Sequence, residues 1–454
     1  MRIHFISIGG SVMHQLAIAL KRKGNDVTGS DDEIFEPAAS NLIKENIYPE
    51  RTGWFPEKIT PDIDAVILGM HAREDNPELK KAVETGLKIF SFPEYIYHES
   101  INKKRIAVGG SHGKTSTTAM IMHVLQSAHV EFDYLVGARL NGFDQSVKIT
   151  DAPIIVCEAD EYPASTIEKR PKFHFLFPHI AILTGIAWDH INVFPTFDFY
   201  LEQFAIFINK IKTGGVLIYN ESDEVLKKLI GNNRRKDINY NAYHLPPYSI
   251  EKGITYVMIG KEKTELKIFG NHNLLNLQAA YHVCNQLEIN DVTFAKAIAT
   301  FEGASKRLEL IVQKNNFNIY RDFAHAPSKV KASVDAVKQQ FPHRKLIAVL
   351  ELHTFSSLNK DFMDQYKSTM DQADEAIVFY SQHAIELKRM KPLDPQQVMT
   401  GFQKENLEVI TEKKDLETRL KGEDLDNANF LFMSSGNYEG MDILTTLNIN
   451  PKNF

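Results

Sequence analysis

A glycine-rich stretch, Gly110-Ser-His-Gly-Lys-Thr115, has the residue types and spacing to bind a phosphate. Residues 106–108 before it predict a buried strand, and a helix is predicted to begin after it. Glycine lets the backbone turn tightly so that its N–H groups face an anion, and the positive end of the helix adds to the attraction. Lys114 is long enough to reach terminal phosphates, and the hydroxyl of Thr115 is a ligand for Mg²⁺. The stretch therefore predicts an ATP-binding loop, with an ordinary strand–turn–helix corner as the alternative.

Acidic side chains follow a second apolar run. Residues 152–157 predict a central parallel strand, and Glu158-Ala-Asp-Glu161 comes directly after it. Carboxylates at the end of a strand beside a phosphate loop are placed to bind Mg²⁺. A third apolar run, 179–184, leads to Asp189 and His190, which could face the same crevice. The alternative for that pair is a helix cap and a packed histidine.

The N-terminal hundred residues carry a weaker nucleotide signal. Gly9, Gly10 and Ser11 form a predicted turn between a strand and a helix, and Asp31 ends the next predicted strand. A turn that cradles phosphate, with an acid about 20 residues further on, is typical of dinucleotide-binding folds. His71 lies in a polar loop after a further strand, where such folds place ligand contacts. Because the complete Gly-x-Gly-x-x-Gly pattern is absent, a plain strand-to-helix turn remains the alternative.

Polar residues in the second half of the chain could complete a nucleotide site. Asn273 and Asn276 lie three residues apart and share one face of a predicted helix, where the alternative is a cap or a solvated face. Arg307 lies at a predicted domain boundary, from which its guanidinium could reach a phosphate. Asp322 ends a predicted strand of the third domain.

Composition excludes several classes of protein. The chain has 52 basic and 58 acidic residues, a net charge of −6, which argues against a nucleic-acid surface. Its two cysteines, Cys157 and Cys284, form no CxxC motif, which fits a reducing cytosol. No apolar run approaches the roughly 20 residues that span a bilayer, and the N-terminus lacks a signal-peptide core. We therefore expect a cytoplasmic protein without membrane insertion; the sequence does not indicate an oligomeric state.

Strand-like and helical stretches alternate along the 454 residues, which predicts an α/β fold with parallel sheets in about three domains. We place the domains at 1–101, 102–304 and 305–454. The predicted strands are 2–8, 26–31, 62–69, 106–108, 152–157, 179–184, 212–219, 318–322, 346–350, 376–380 and 429–433, and the predicted helices include 12–23 and 361–372.

These motifs together resemble those of the Mur ligases, the ATP-dependent ligases of peptidoglycan precursors, over essentially all three domains. Four motifs carry the resemblance: Gly110-Ser-His-Gly-Lys-Thr115, Glu158-Ala-Asp-Glu161, His272-Asn273-x-x-Asn276 and Asp322-Phe-Ala-His-x-Pro327. The resemblance implies a Rossmann-like N-terminal domain that binds a UDP-sugar, a central P-loop ATPase domain and a Rossmann-like C-terminal domain that brings an amine. It implies ATP and Mg²⁺ as cofactors, and UDP-N-acetylmuramate and an amino acid or peptide as substrates.

The resemblance also implies roles for individual residues. The implied catalytic residues are Lys114, Glu158, His190 and Arg307, and the implied metal ligands are Thr115, Glu158 and His190. ATP would be bound by Gly110, Ser111, His112, Gly113, Lys114, Thr115, Ser116, Asn273, Asn276, Arg307 and Asp322. The UDP-sugar would be bound by Gly9, Gly10, Ser11, Asp31 and His71, and the amine substrate by His325 and His353.

The family reaction activates a carboxylate as an acyl phosphate, which an amine then attacks. Such a path needs positioning and charge neutralisation more than a protein nucleophile. The segments 36–42, 169–173 and 322–325 and the long gap between Glu158 and Thr184 resemble the branch that adds the tripeptide L-alanyl-γ-D-glutamyl-meso-diaminopimelate. We expect that amine, with L-alanine as the alternative, because residues 353–356 also resemble the alanine-adding branch. More distant alternatives are a folylpolyglutamate synthase-like ligase and a non-catalytic nucleotide switch.

Overall fold

The structure is a computed structural model that describes residues 1–70, 72–137, 140, 142–188 and 193–449. Two predicted site residues, His71 and His190, lie outside the described residues, as does Asp189, which directly precedes His190. Within the described chain, no helix combines the length and the apolar character needed to cross a bilayer. The α/β fold class predicted from the sequence is confirmed, because parallel pairing dominates the three largest sheets.

The N-terminal segment forms a four-stranded parallel sheet in the order β2-β1-β3-β4. Buried apolar side chains of its strands and helices, such as Phe5, Leu16 and Tyr95, form its core. Its elements are β1 (Arg2–Ile6), α1 (Met13–Arg22), β2 (Asp26–Ser30), α2 (Ala38–Lys44), a 3₁₀ turn (Pro56–Lys58), β3 (Ala65–Leu68), α3 (Pro77–Glu84), β4 (Ile89–Ser91) and α4 (Phe92–Glu99).

The central segment forms a seven-stranded sheet in the order β11-β10-β9-β5-β8-β6-β7, in which only the described β6–β7 pair is antiparallel. The middle strands are buried on both faces, which explains their almost continuous apolar sequence. The elements are β5 (Lys104–Gly109), α5 (Lys114–Ser127), β6 (Asp133–Leu135), β7 (Val147–Lys148), β8 (Ile154–Glu158), a 3₁₀ turn (Lys172–Phe175), β9 (Ile180–Leu183), α6 (Phe197–Asn209), β10 (Val216–Asn220), α7 (Glu224–Asn232) and β11 (Asn239–Tyr243).

A small antiparallel sheet, absent from the sequence prediction, follows. It consists of β12 (Tyr248–Glu251), β13 (Ile254–Ile259) and β14 (Glu262–Leu266), and α8 (Asn271–Gln286) and α9 (Asp291–Ile298) come after it. Lys252 and Gly253 both have positive φ, as a tight hairpin turn requires. Burial alternates along β13, but its sequence does not; the run of β-branched and aromatic residues between Gly253 and Gly260 is the signal that would have predicted this strand.

The C-terminal segment forms a six-stranded sheet in the order β15-β16-β20-β17-β18-β19, parallel except for the edge strand β15. Its elements are β15 (Glu309–Gln313), β16 (Phe317–Asp322), α10 (Pro327–Gln340), β17 (Lys345–Glu351), a 3₁₀ helix (Lys360–Tyr366), β18 (Glu375–Phe379), α11 (Gln382–Leu387), α12 (Pro395–Phe402), β19 (Leu407–Ile410), α13 (Lys413–Lys421), β20 (Ala428–Met433), a 3₁₀ turn (Tyr438–Gly440) and α14 (Ile443–Thr446).

The helix predicted over residues 361–372 is wrong. The structure has a 3₁₀ helix there, Lys360–Tyr366, which ends before the predicted stretch does. Ser368 has a φ of 59°, a left-handed conformation that an α-helix does not continue through.

The chain divides into two compact units. The first unit contains the described residues of 1–188, 193–244 and 275–297, and the second contains those of 245–274 and 298–449. The predicted domain boundaries at 101/102 and 304/305 therefore stay a prediction.

Candidate functional site

The glycine-rich loop joins β5 to α5, as predicted, and two of its glycines are structurally required. Gly110 and Gly113 have φ values of 127° and 78°, in the left-handed region that favours glycine. A Cβ at Gly110 would lie 2.2 Å from the hydroxyl oxygen of Thr184. A Cβ at Gly113 would lie 2.3 Å from Oδ1 of Asn276, so the start of α5 and this asparagine approach as closely as a glycine allows.

The ammonium of Lys114 lies at the mouth of this loop. Its Nζ donates to the carbonyl oxygen of Gly110 and to Oε2 of Glu161, each at 2.7 Å. Burial acts to lower the pKa of Lys114, but the nearby carboxylates, Glu161 foremost, outweigh it and raise the pKa above its ordinary value. Lys114 therefore stays protonated, and a bound phosphate can replace Glu161 as the partner of its ammonium.

Thr115 and Glu158 together offer the oxygen ligands that Mg²⁺ prefers. The Thr115 hydroxyl donates to Oε1 of Glu158 at 2.8 Å, and the amide of Gly137 donates to Oε2 at 2.9 Å. Mg²⁺ usually takes one or two protein oxygens and completes its shell with water and substrate phosphate, so this pair fits the ion. Within the described residues no cluster of three or more His, Cys, Asp or Glu side chains forms a metal site, and the third predicted ligand, His190, lies outside them.

A buried hydrogen-bond chain behind the loop was missed by the sequence analysis. The hydroxyl of Tyr200 donates to Oε1 of Glu161 at 3.2 Å and therefore accepts from Ser111, 2.8 Å away. The amide of Ala187 donates to the Ser111 oxygen at 2.9 Å. Glu161 was visible in the acidic run, whereas Tyr200 comes from the first turn of α6 and had no local signal. The chain fixes the carboxylate that holds Lys114.

The remaining predicted ATP-binding residues divide between the two units. The carbonyl oxygen of His112 accepts from the Thr184 hydroxyl, and Ser116 is buried in the first turn of α5. Asn276 belongs to the first unit, where it lies against Gly113. Asn273 belongs to the second, and its amide donates to the carbonyl of Phe269 at 3.0 Å.

The turn after β1 is held by side chains that bind its backbone. Oδ2 of Asp31 accepts from the Gly9 amide at 2.7 Å, and a Cβ on Gly9 would lie 2.9 Å from that oxygen. Burial raises the pKa of Asp31 to about 6, against the opposing effect of the Gly9 hydrogen bond and with a further contribution from Asp32. Nδ1 of His14 lies 2.9 Å from the carbonyl oxygen of Gly10.

One cavity, of about 280 Å³, brings the two glycine turns together. Its lining includes Gly10 and Ser11 from the turn after β1 together with Lys114 and Glu158. The other lining residues are Ser7, Val12, Met13, Met70, Phe92, Leu135, Val136, Gly137, Asp160, Ala164 and Lys172. The structure thus places residues predicted separately for a UDP-sugar and for ATP around one space.

Three predicted residues of the second unit lie near the start of the C-terminal sheet. Asp322 is buried and accepts from the hydroxyl of Ser333. The guanidinium of Arg307 lies over the ring of Phe323, 4.6 Å from its centroid. Nδ1 of His325 lies 2.8 Å from the carbonyl oxygen of Phe323. These contacts gather Arg307 and His325 around one aromatic ring.

His353 lies beside a buried carboxylate at the end of β17. Its Nδ1 is 3.7 Å from Oε1 of Glu351, whose Oε2 accepts from the amide of Tyr438 at 2.9 Å and from the hydroxyl of Ser434. A Cβ on Gly436 would lie 2.8 Å from Oε2 of Glu351, so the glycine lets this loop close on the carboxylate.

Sequence models of one family match three consecutive segments of the chain. Residues 2–99 match "Mur ligase family, catalytic domain", residues 108–284 match "Mur ligase middle domain", and residues 306–436 match "Mur ligase, glutamate ligase domain". A UDP-N-acetylmuramate–L-alanine ligase of Caldicellulosiruptor bescii is 31% identical over 386 residues, which cover 82% of each chain.

Solved structures show the same architecture. A UDP-N-acetylmuramate–alanine ligase of Thermotoga maritima aligns with a TM-score of 0.68 at 22% identity, over 99% of this chain and 97% of its own. A murein peptide ligase of Psychrobacter arcticus aligns with a TM-score of 0.63 at 22% identity, over 98% of both chains. Both likenesses show the three-domain fold predicted from the sequence. The chain belongs to the Mur ligase family and is an ATP- and Mg²⁺-dependent ligase that forms an amide bond.

Proposed function

We propose that this ligase uses UDP-N-acetylmuramate as its acid substrate and L-alanine as its amine. The single observation that carries the acid assignment is the cavity shared by the two glycine turns. A nucleotide-sugar held at Gly10 and Ser11 would extend toward Lys114 and Glu158. That arrangement suits transfer of the terminal phosphoryl group of ATP to a carboxylate on the sugar.

The loop residues have distinct roles in this proposal. Backbone N–H groups of the turn at Gly110 to Gly113 face the ATP phosphates, and the ammonium of Lys114 neutralises charge on the transferred group. Thr115 and Glu158 hold Mg²⁺, together with His190. The ion, when bound, screens the charge of the phosphates that the carboxylate approaches.

The other predicted residues keep the roles that the family resemblance implies. Asn273 and Asn276 on α8, Arg307 and Asp322 would contact ATP. His325 and His353 would contact the amine substrate, and Nδ1 of His353 lies 3.7 Å from Oε1 of Glu351. Asp31 and His71 would contact the UDP moiety.

The choice of amine rests on sequence relatives. Curated relatives that cover more than four-fifths of the chain are named as UDP-N-acetylmuramate–L-alanine ligases, which supports L-alanine more strongly than the tripeptide expected from the sequence. The tripeptide remains the second candidate because the local patterns at 36–42, 169–173 and 322–325 favour it.

An amine comparison tests the proposal. Purified protein is incubated with UDP-N-acetylmuramate, ATP and Mg²⁺, and phosphate release and product mass are measured with L-alanine or with the tripeptide. A higher kcat/KM for L-alanine is expected. A clear preference for the tripeptide would move the chain to the second candidate, because a site that binds remote carboxylates gains turnover from them. No product with either amine would contradict the acid assignment.

A further inference from the structure

Part of the long gap between Glu158 and Thr184 is a loop that folds back on itself. The amide of Phe173 donates to the carbonyl of Asp160 at 3.0 Å, and the amide of Lys172 donates to the carbonyl of Tyr162 at 2.9 Å. A third bond, from Ala164 to Arg170 at 2.9 Å, continues the pairing. The fold of this loop therefore returns Lys172 to the acidic end of β8.

The loop is also tied to the N-terminal segment within the same unit. The amide of Thr166 donates to the carbonyl of Met70 at 3.0 Å, and its hydroxyl donates to the carbonyl of Ala72. The loop that carries Lys172 is therefore bonded both to the residues after β8 and to the segment after β3, and both of these segments line the shared cavity.

Lys172 lines that cavity with its ammonium paired to one carboxylate. Nζ lies 2.7 Å from Oδ2 of Asp160, and both residues line the cavity with Lys114 and Glu158. The Lys172 side chain retains 26% of its exposure, so its ammonium is accessible to a ligand.

The proposed reaction brings two anions together in this space. A substrate carboxylate must approach the terminal phosphate of ATP, and their repulsion is stronger beside protein, where the effective dielectric constant is lower than in bulk water. Lys114 and Mg²⁺ act on the phosphates in this reaction, so a further cation beside the carboxylate would lower the remaining repulsion. We propose that Lys172 binds the carboxylate of the acid substrate, which takes the place of Asp160 beside its ammonium. This inference rests on the proposed function, because it requires an acid substrate in the shared cavity.

Paired nucleotide-sugars test the contact. UDP-N-acetylmuramate carries the carboxylate, and UDP-N-acetylglucosamine lacks it but shares the diphosphate. The dissociation constants of both are measured by calorimetry for the wild type, for Lys172→Met and for the matched control Lys169→Met, whose side chain is exposed three residues away. We expect Lys172→Met to weaken UDP-N-acetylmuramate roughly 10- to 100-fold, the cost of a charge-assisted hydrogen bond, and to leave UDP-N-acetylglucosamine within about twofold.

Other results would overturn the inference. Equal weakening of both sugars would assign Lys172 to the diphosphate, and unchanged binding of both would remove it from the substrate. Lys172→Gln is a second neutral variant should Lys172→Met unfold, and Lys172→Arg, which keeps the charge, is expected to restore most of the affinity. Wild-type protein that binds neither sugar would instead contradict the proposed function.

Discussion

The two glycine turns of the first unit share a strand–turn–helix geometry and differ in what their neighbouring side chains hold. After β5, charged side chains pair with one another: Lys114 with Glu161, and Lys172 with Asp160 on the adjoining loop. After β1, Asp31 and His14 are instead bonded to the backbone of the turn itself. The backbone of the β5 turn also accepts side-chain hydrogen bonds, from Lys114 and Thr184, so side chains hold both turns before a ligand arrives. The difference is that the β5 side also offers cations whose carboxylate partners a ligand can replace.

The glycines of the two turns differ as well. Gly113 is left-handed and would crowd Asn276 if it had a Cβ. Gly10 is not among the positive-φ residues, and its nearest contact for a Cβ would be Cγ of Met13 at 3.3 Å. Gly113 is therefore required by its backbone conformation, whereas Gly10 is favoured only because neighbouring atoms pack closely against it.

Removing the cation of the β5 turn should have the largest effect. Lys114→Ala is expected to lower the rate of ATP turnover by on the order of 10²-fold or more, because it removes the preorganised positive charge that stabilises the transferred phosphoryl group. Phosphate release measures it, and Lys169→Ala, an exposed lysine, is the control. Near-normal turnover in folded Lys114→Ala would refute the role.

Alanine substitutions should show that Gly113 is required by its backbone conformation and that Gly10 is not. Gly113→Ala is expected to lower the free energy of unfolding by roughly 1–3 kcal/mol and to weaken ATP binding, since alanine is strained at this φ. Gly10→Ala should change stability by about 0.5 kcal/mol or less. Denaturant unfolding and nucleotide titration check both. Equal effects of the two substitutions would contradict the conformational difference between the turns.

Asp31 should give the β1 turn a pH dependence. Its pKa is raised from 3.8 to about 6, so the folded state binds its proton more tightly than the unfolded state does. Its contribution to stability is therefore full below pH 3.8 and is lost as the pH rises through about 6, by on the order of 3 kcal/mol. In Asp31→Asn, the free energy of unfolding should depend less on pH between 3.8 and about 6. Asp26→Asn, exposed at the start of β2, is the control, and an unchanged slope in Asp31→Asn would contradict the assignment.

Substituting His14 should have the smallest effect, which is confined to binding of the nucleotide-sugar. Burial lowers its pKa, so the imidazole is neutral and its Nδ1 donates to Gly10. His14→Asn places an amide donor near the position of Nδ1, whereas His14→Leu leaves the carbonyl without this donor. A KM for UDP-N-acetylmuramate raised roughly 3- to 10-fold in His14→Leu and less in His14→Asn is expected, with the KM for ATP unchanged. Parallel changes in both KM values would indicate general loosening.

Local sequence signals predicted most of the fold and the centre of the site. Apolar runs placed strands such as β5, β8 and β20, and the glycine–lysine pattern placed the turn between β5 and α5 that we propose binds phosphate. The rest depends on contacts between distant residues. Tyr200 reaches Glu161 only because α6 packs against the sheet, and Lys172 returns to Asp160 only through the backbone bonds of its loop. The helix predicted over 361–372 failed for a local reason, the left-handed Ser368, which composition does not reveal.

In the proposed reaction, the shared cavity brings the carboxylate of a nucleotide-sugar to the terminal phosphate of ATP. The most direct test uses UDP-N-acetylmuramate with ¹⁸O in its carboxylate, and follows the label by mass spectrometry of the released phosphate. An acyl phosphate forms a bond between a carboxylate oxygen and phosphorus, so each turnover should leave one carboxylate oxygen in inorganic phosphate. Phosphate that contains no ¹⁸O, released together with the amide product, would contradict the account.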